Sequence, residues 1–194
     1  MYLDVQDRNF QKKKLYNVIT NKDYSNVQSI IDCFEIEIEK PNKPVEQSAT
    51  WLQYKNCNTI KYLISANPDG FITFISKGYT GRITDVKLVE KSGFLDIVKP
   101  NSVVLADRGF KHLESSRRPP SVSANKKMTK MEAIESKVIA SLRIHIERVI
   151  QRVRLYKFLK PHSTINNKLV NCVDDAVVVN CGLINLQSPI KKNF

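Results

Sequence analysis

Three carboxylates far apart in the chain, Asp32, Asp107 and Glu147, each stand in a setting unusual for a surface charge. Asp32 interrupts the apolar run Ser29-Ile30-Ile31-Asp32-Cys33-Phe34-Glu35-Ile36, which reads as a buried strand. Asp107 closes a second run, Val103-Val104-Leu105-Ala106, directly before Arg108-Gly109-Phe110. Glu147 sits in Arg143-Ile144-His145-Ile146-Glu147-Arg148, on a long basic helix. Burying a carboxylate costs several kcal/mol unless its charge is compensated. A shared divalent cation is one compensation, and acidic clusters of that kind serve phosphoryl chemistry.

The elements that must position these groups follow from periodicity. Residues Ile30–Glu39 alternate, with Phe34, Ile36 and Ile38 on one face and Glu35, Glu37 and Glu39 on the other, as in a strand with one polar side. Pro41 and Pro44 end it. Thr59–Ala66 and Phe71–Lys77 form a hairpin about the turn signal Asn67-Pro68-Asp69-Gly70. Gly78 and Gly81 break the second of these strands, and Thr84 caps a short helix, Asp85–Lys91, with Gly93 at its end. Ser102–Ala106 is a fourth strand. Lys111–Thr129 reads as loop, and Met131–Tyr156 as a helix whose apolar positions recur every three or four residues until Pro161. A last helix is expected over Asn166–Leu186, packed through Leu169, Val173, Ala176, Val177 and Leu183.

The chain of 194 residues is one domain by length, and its hydrophobic content of 42% suffices for a sizeable core. Its first eight residues do not read as a signal peptide, and no apolar run approaches the roughly 20 residues of a membrane span. Cys33, Cys57, Cys172 and Cys181 form no CxxC pair and read as free thiols. The net charge of +12 is concentrated: residues 111–170 hold fourteen Lys and Arg against four Asp and Glu. A basic surface of that kind suits a polyanion, with salt-dependent binding. A solvated helix face is the bland alternative.

Six words of the sequence, in order, resemble the DDE superfamily endonucleases, the catalytic domain of Harbinger-like transposases. They are Ile31-Asp32-Cys33-Phe34-Glu35-Ile36; Tyr54-Lys55 with Asn58-Thr59-Ile60-Lys61; Asn67-Pro68-Asp69-Gly70; Gly81-Arg82-Ile83-Thr84-Asp85; Ala106-Asp107-Arg108-Gly109-Phe110; and Arg143 to Arg148. The resemblance implies an α/β fold, a ribonuclease H-like mixed sheet with flanking helices. It divides the chain into a lead-in, 1–27, carrying a helix near Phe10–Thr20 but no DNA-binding module; a nuclease domain, 28–188; and a tail, 189–194. It implies an Asp32, Asp107 and Glu147 triad holding two Mg²⁺ or Mn²⁺ ions, Asp32 bridging both, for hydrolysis or strand transfer on DNA in the nucleus. A homo-oligomer or a separate DNA-binding partner would then complete the assembly.

The spacing Arg143-x3-Glu147-x6-Arg154 resembles a signature of related transposases that has Lys at the last position. Arg117, Arg118, Lys126, Lys127, Arg143 and Arg154 are the phosphate-contact candidates. Lys55 and Lys61 are either backbone contacts or ordinary strand-surface lysines. Asp85 is either a fourth metal carboxylate or a first-turn residue favoured by the helix dipole. Glu35 reads as solvated or structural.

The resemblance is incomplete after Phe110. Where the family has an apolar strand, this chain has Lys111-His112-Leu113-Glu114-Ser115-Ser116-Arg117-Arg118-Pro119-Pro120, so the fifth strand of the sheet is expected to be lost. That leaves a nuclease inactivated by deletion, and a non-catalytic DNA-binding or scaffold protein, as alternatives. A basic RNA- or protein-binding module is a third.

Overall fold

The protein is described here by a computed structural model covering residues 27–99, 102–106, 110, 116–117, 144–188 and 190. Its described strands are β1 (Val27–Ile38), β2 (Trp51–Leu52), β3 (Cys57–Ala66), β4 (Ile72–Ile75), β5 (Tyr79–Thr80), β6 (Val103–Leu105) and β7 (Ser116–Arg117). The helices are α1 (Pro44–Thr50), α2 (Asp85–Lys91), α3 (144–153) and α4 (Val173–Asn185). All seven strands join one sheet in the order β2-β3-β1-β6-β7, with β4 and β5 also pairing with β3. β1 runs antiparallel to β3 and parallel to β6, and β7 runs parallel to β6. The expected mixed sheet is therefore present.

Alternation along β1 divides the core in two. Ile30, Phe34, Ile36 and Ile38 pack on the face covered by α3, through Ile146, Val149 and Val153, and by α4, through Val177, Cys181 and Ile184. Ile31 and Cys33 point to the other face, among Leu63, Phe74, Leu88, Val89 and Phe94. A run hydrophobic on both faces is what a central strand needs.

Local signals explain the connections. The Asn67 side chain accepts from the amides of Asp69 and Phe71, and Gly70 adopts φ +84°, which closes the β3–β4 turn. Thr84 accepts from the Lys87 amide and starts α2 as expected. Pro44 opens α1, where its fixed φ suits the first helical position. Gly81 is fixed by crowding: a Cβ there would lie 2.1 Å from Thr59 Oγ1.

Two expectations change. The fifth-strand position is not empty: Ser116 and Arg117 pair with Val104 and Leu105, so a strand is present there among the described residues. The last helix begins later than expected, because Asn167–Cys172 is a 3-10 helix and α4 starts at Val173. Three residues per turn in that lead-in throw Leu169 off the packing stripe. The buried face is Val173, Val177, Asn180, Cys181 and Ile184, while Leu169 and Leu183 are exposed.

α4 is pinned at both ends. Asp174 accepts from Tyr62 OH at 2.6 Å and from the Gly78 amide at 3.0 Å. Asn185 exchanges two hydrogen bonds with the Ile72 backbone, each 2.9 Å. Between them, buried Asn180 donates to the Val153 carbonyl, satisfying an acceptor at the end of α3. α3 and α4 thus sit on β1 as a fixed pair.

Candidate functional site

Asp32 occupies β1 opposite Ile64 of β3, between the inward-facing Ile30 and Phe34. Period-two alternation puts it on the face that α3 and α4 cover. It is half-buried, and its Oδ1 accepts the Cys33 amide at 2.8 Å, which orients the carboxylate. Glu147 lies on α3, whose buried stripe is Ile146, Val149, Ile150 and Val153. Glu147 itself is exposed, one residue round the helix from Ile146. His145, two residues earlier, is buried.

Asp107 lies outside the described residues, as do Arg118, Lys126, Lys127, Arg143 and the Phe10–Thr20 helix. The strand leading to Asp107 is described. Leu105 pairs with Ile30 of β1 and is buried on the α3 face, and Ala106 is buried after it. Strand β6 therefore ends two residues short of the level of Asp32. Arg117 is placed by its backbone in β7, and Arg154 follows α3, half-buried and in no ion pair. Among the described residues, no three His, Cys, Asp or Glu side chains lie together as an ion's ligands.

A different charged cluster lies on the opposite face of β1. Lys61 Nζ donates to Asp85 Oδ1 at 3.2 Å and to the Ile83 carbonyl at 3.1 Å, and stands 3.3 Å from Glu35 Oε1. Lys55 also pairs with Glu35, and Tyr54 OH donates to the same carboxylate. The Glu35 side chain is only 7% exposed and Lys61 12%. Burial alone would lower Lys61, but the Asp85 and Glu35 carboxylates outweigh it and hold the ammonium above its ordinary value. Cys33 points into this cluster, where burial first, then Asp85 and Asp32, push its thiol far up, so it stays neutral.

This geometry corrects the sequence reading at Lys61 and decides between the stated alternatives at Glu35 and Asp85. Lys61 is largely buried in an ion pair and is not a surface lysine, while Lys55 is exposed and pairs with Glu35. Glu35 is structural and not solvated. Asp85 does sit in the first turn of α2, but Lys61 supplies its cation, so the arrangement gives no support to a metal role. Nothing local signals these pairings, which join residues 20 to 26 apart, although Lys61 and Asp85 fall in two of the six words quoted above.

The sheet order, with a parallel strand beside a long antiparallel pair and helices on both faces, defines a nuclease-type α/β fold of the ribonuclease H class. The chain belongs to the DDE superfamily endonucleases: the family model matches residues 31–185. That span runs from β1 to the last residue of α4 and includes all three triad positions. No curated protein and no solved structure matches the chain.

Proposed function

We propose that the protein is a transposase-derived DNA endonuclease domain, spanning residues 28–188, that uses Asp32, Asp107 and Glu147 to hold Mg²⁺ or Mn²⁺. The observation that carries this reading is the placement of Asp32. It stands on the face of the central strand that α3, the helix of Glu147, covers, and β6, which precedes Asp107 in sequence, pairs with the same strand. Carboxylate oxygens are the donors hard cations take. Bound there, two such ions would supply an activated oxygen nucleophile and stabilise the leaving oxygen.

The chain's own residues do the positioning. The Cys33 amide donates to Oδ1 of Asp32 and orients the carboxylate. Asn180 and the α4 anchors keep α3 in place, so Glu147 is presented from a rigid element. Arg117, Arg118, Lys126, Lys127, Arg143 and Arg154 act as sequence-independent phosphate contacts. The site of action is the nucleus, and a homo-oligomer or a DNA-binding partner supplies target choice.

The test is cleavage of supercoiled and linear DNA by the purified protein. Cleavage is expected with Mg²⁺ or Mn²⁺ and not with Ca²⁺, whose looser coordination does not suit in-line displacement. Asp32→Asn, near-isosteric, is expected to abolish it with the fold intact. Equal cleavage by parent and Asp32→Asn would sink the assignment. The polar segment after Phe110 favours a second reading, a DNA-binding protein whose support for the site was cut by deletion. In that case duplex binding persists and cleavage is absent in the parent.

A further inference from the structure

The connection from α3 to α4 carries a charge the triad does not use. Between Glu147 and Asp174 the sequence has six Lys and Arg and no Asp or Glu. Lys157 and Lys160 lie in and just after the 3-10 turn Lys157–Leu159, and Lys168 lies in the 3-10 helix Asn167–Cys172. All three are exposed and none is in an ion pair. The segment is tied to the end of β1: Ile165 bridges Ile38, the Glu39 amide donates to the Ile165 carbonyl, and Asn167 Nδ2 donates to the Lys40 carbonyl. Lys40, exposed and also unpaired, joins the patch.

The acids nearby are engaged. Glu37 pairs with His162, and Glu39 accepts from Asn166 Nδ2 and the Asn167 amide. The opposite face differs: α2 sets Lys87 and Lys91 beside Glu90, while its Asp85 is paired with Lys61. Four unpaired ammonium groups spread over separate turns do not enclose a small anion. They suit a linear polyanion, whose phosphates recur along an edge.

We propose that Lys157, Lys160, Lys168 and Lys40 form a duplex-contacting surface that holds the DNA flank beside the Asp32 site. This rests on the nuclease reading for the choice of DNA. Six residues of β1 separate Asp32 from Ile38, about 20 Å at strand rise. That is about six base steps, within one turn of duplex. The surface contacts phosphates only, so it tightens binding without selecting sequence.

The test uses the full chain and a 40-base-pair duplex, with affinity measured against salt concentration. Lys157→Glu, Lys160→Glu and Lys168→Glu together should weaken binding at least tenfold at 0.1 M salt and lower the salt slope by about 2 to 3. Lys87→Glu, Lys91→Glu and Lys99→Glu, the same change in net charge made elsewhere, should shift affinity less than threefold. Equal losses from the two triple variants would mean that only net charge matters, and would overturn the surface. So would parental binding by the first triple, or no duplex binding by the parent. Circular dichroism checks folding, and single reversals replace a triple that fails to fold. Asp32→Asn separates the two claims: it should lose cleavage and keep the parental salt slope. A lysine effect without any parental cleavage would keep the surface and remove the nuclease.

Discussion

The two faces of β1 carry their acids in different settings. On the α2 face, Glu35 and Asp85 find their counter-ion within the protein, in Lys61, and the cluster is closed by Tyr54 and Lys55. On the α3 face, Asp32 is half-buried in β1 and Glu147 is exposed on α3, and Lys157, Lys160 and Lys168 are exposed on the α3–α4 connection. A carboxylate with a fixed lysine is satisfied by folding and contributes to the structure. Under the proposed function, Asp32 and Glu147 serve a ligand instead. Under the proposed function, opposite faces of one strand, reached by adjacent residues, thus serve stability and chemistry separately.

The sharpest way to break this comparison is to exchange the costs. Asp32→Asn or Glu147→Gln should reduce cleavage on the order of 10³-fold or more, because groups that act as a unit fail together. Neither should lower the urea midpoint appreciably. A large stability loss from Asp32→Asn would place Asp32 among the structural acids.

Lys61→Met should do the reverse. It leaves Asp85 without its lysine and Glu35 with Lys55 alone, at a cost of about 3 kcal/mol in urea unfolding. Its DNA cleavage per folded molecule should stay within a few-fold of the parent. The pH dependence follows the same residue. Because the folded-state value of Lys61 is raised, its contribution is fully present below the ordinary lysine value of 10.5 and is lost as pH rises through the folded value. The stability difference between parent and Lys61→Met should therefore narrow above that pH. A gap that is constant into strong alkali would contradict the ion pairing.

The smallest effect belongs to a single hydrogen bond on the α3 face. Tyr62→Phe removes the hydroxyl that donates to the Asp174 carboxylate, and should cost about 2 kcal/mol, read from the same urea curves, with no change in metal dependence.

Local chemistry made much of this fold legible. The alternation of Ile30 to Glu39, the Asn67-Pro68-Asp69-Gly70 turn and the Thr84 cap each depend on neighbours in sequence, and all three appear where expected. α1 and β2 were hidden because Pro44, read as a strand breaker, is also a helix opener. The fifth strand was hidden because Ser116 and Arg117 carry no apolar signal, and only pairing with β6 makes them a strand. For the site, Asp32 was visible as a charge inside an apolar strand. The commitment of Lys61 to Asp85 and Glu35 was not, since it depends on how β1, β3 and α2 meet.

The central claim is that acids from β1, the end of β6 and α3 meet on one face to share a cation. Anomalous diffraction from crystals grown with Mn²⁺ tests it most directly. The account predicts a peak about 2.1 Å from an Asp32 carboxylate oxygen, with Asp107 and Glu147 as further ligands and any second ion ~3.5–4 Å away. A peak at Asp85 and Glu35 instead, or Glu147 turned away from an ion held by Asp32, would contradict it.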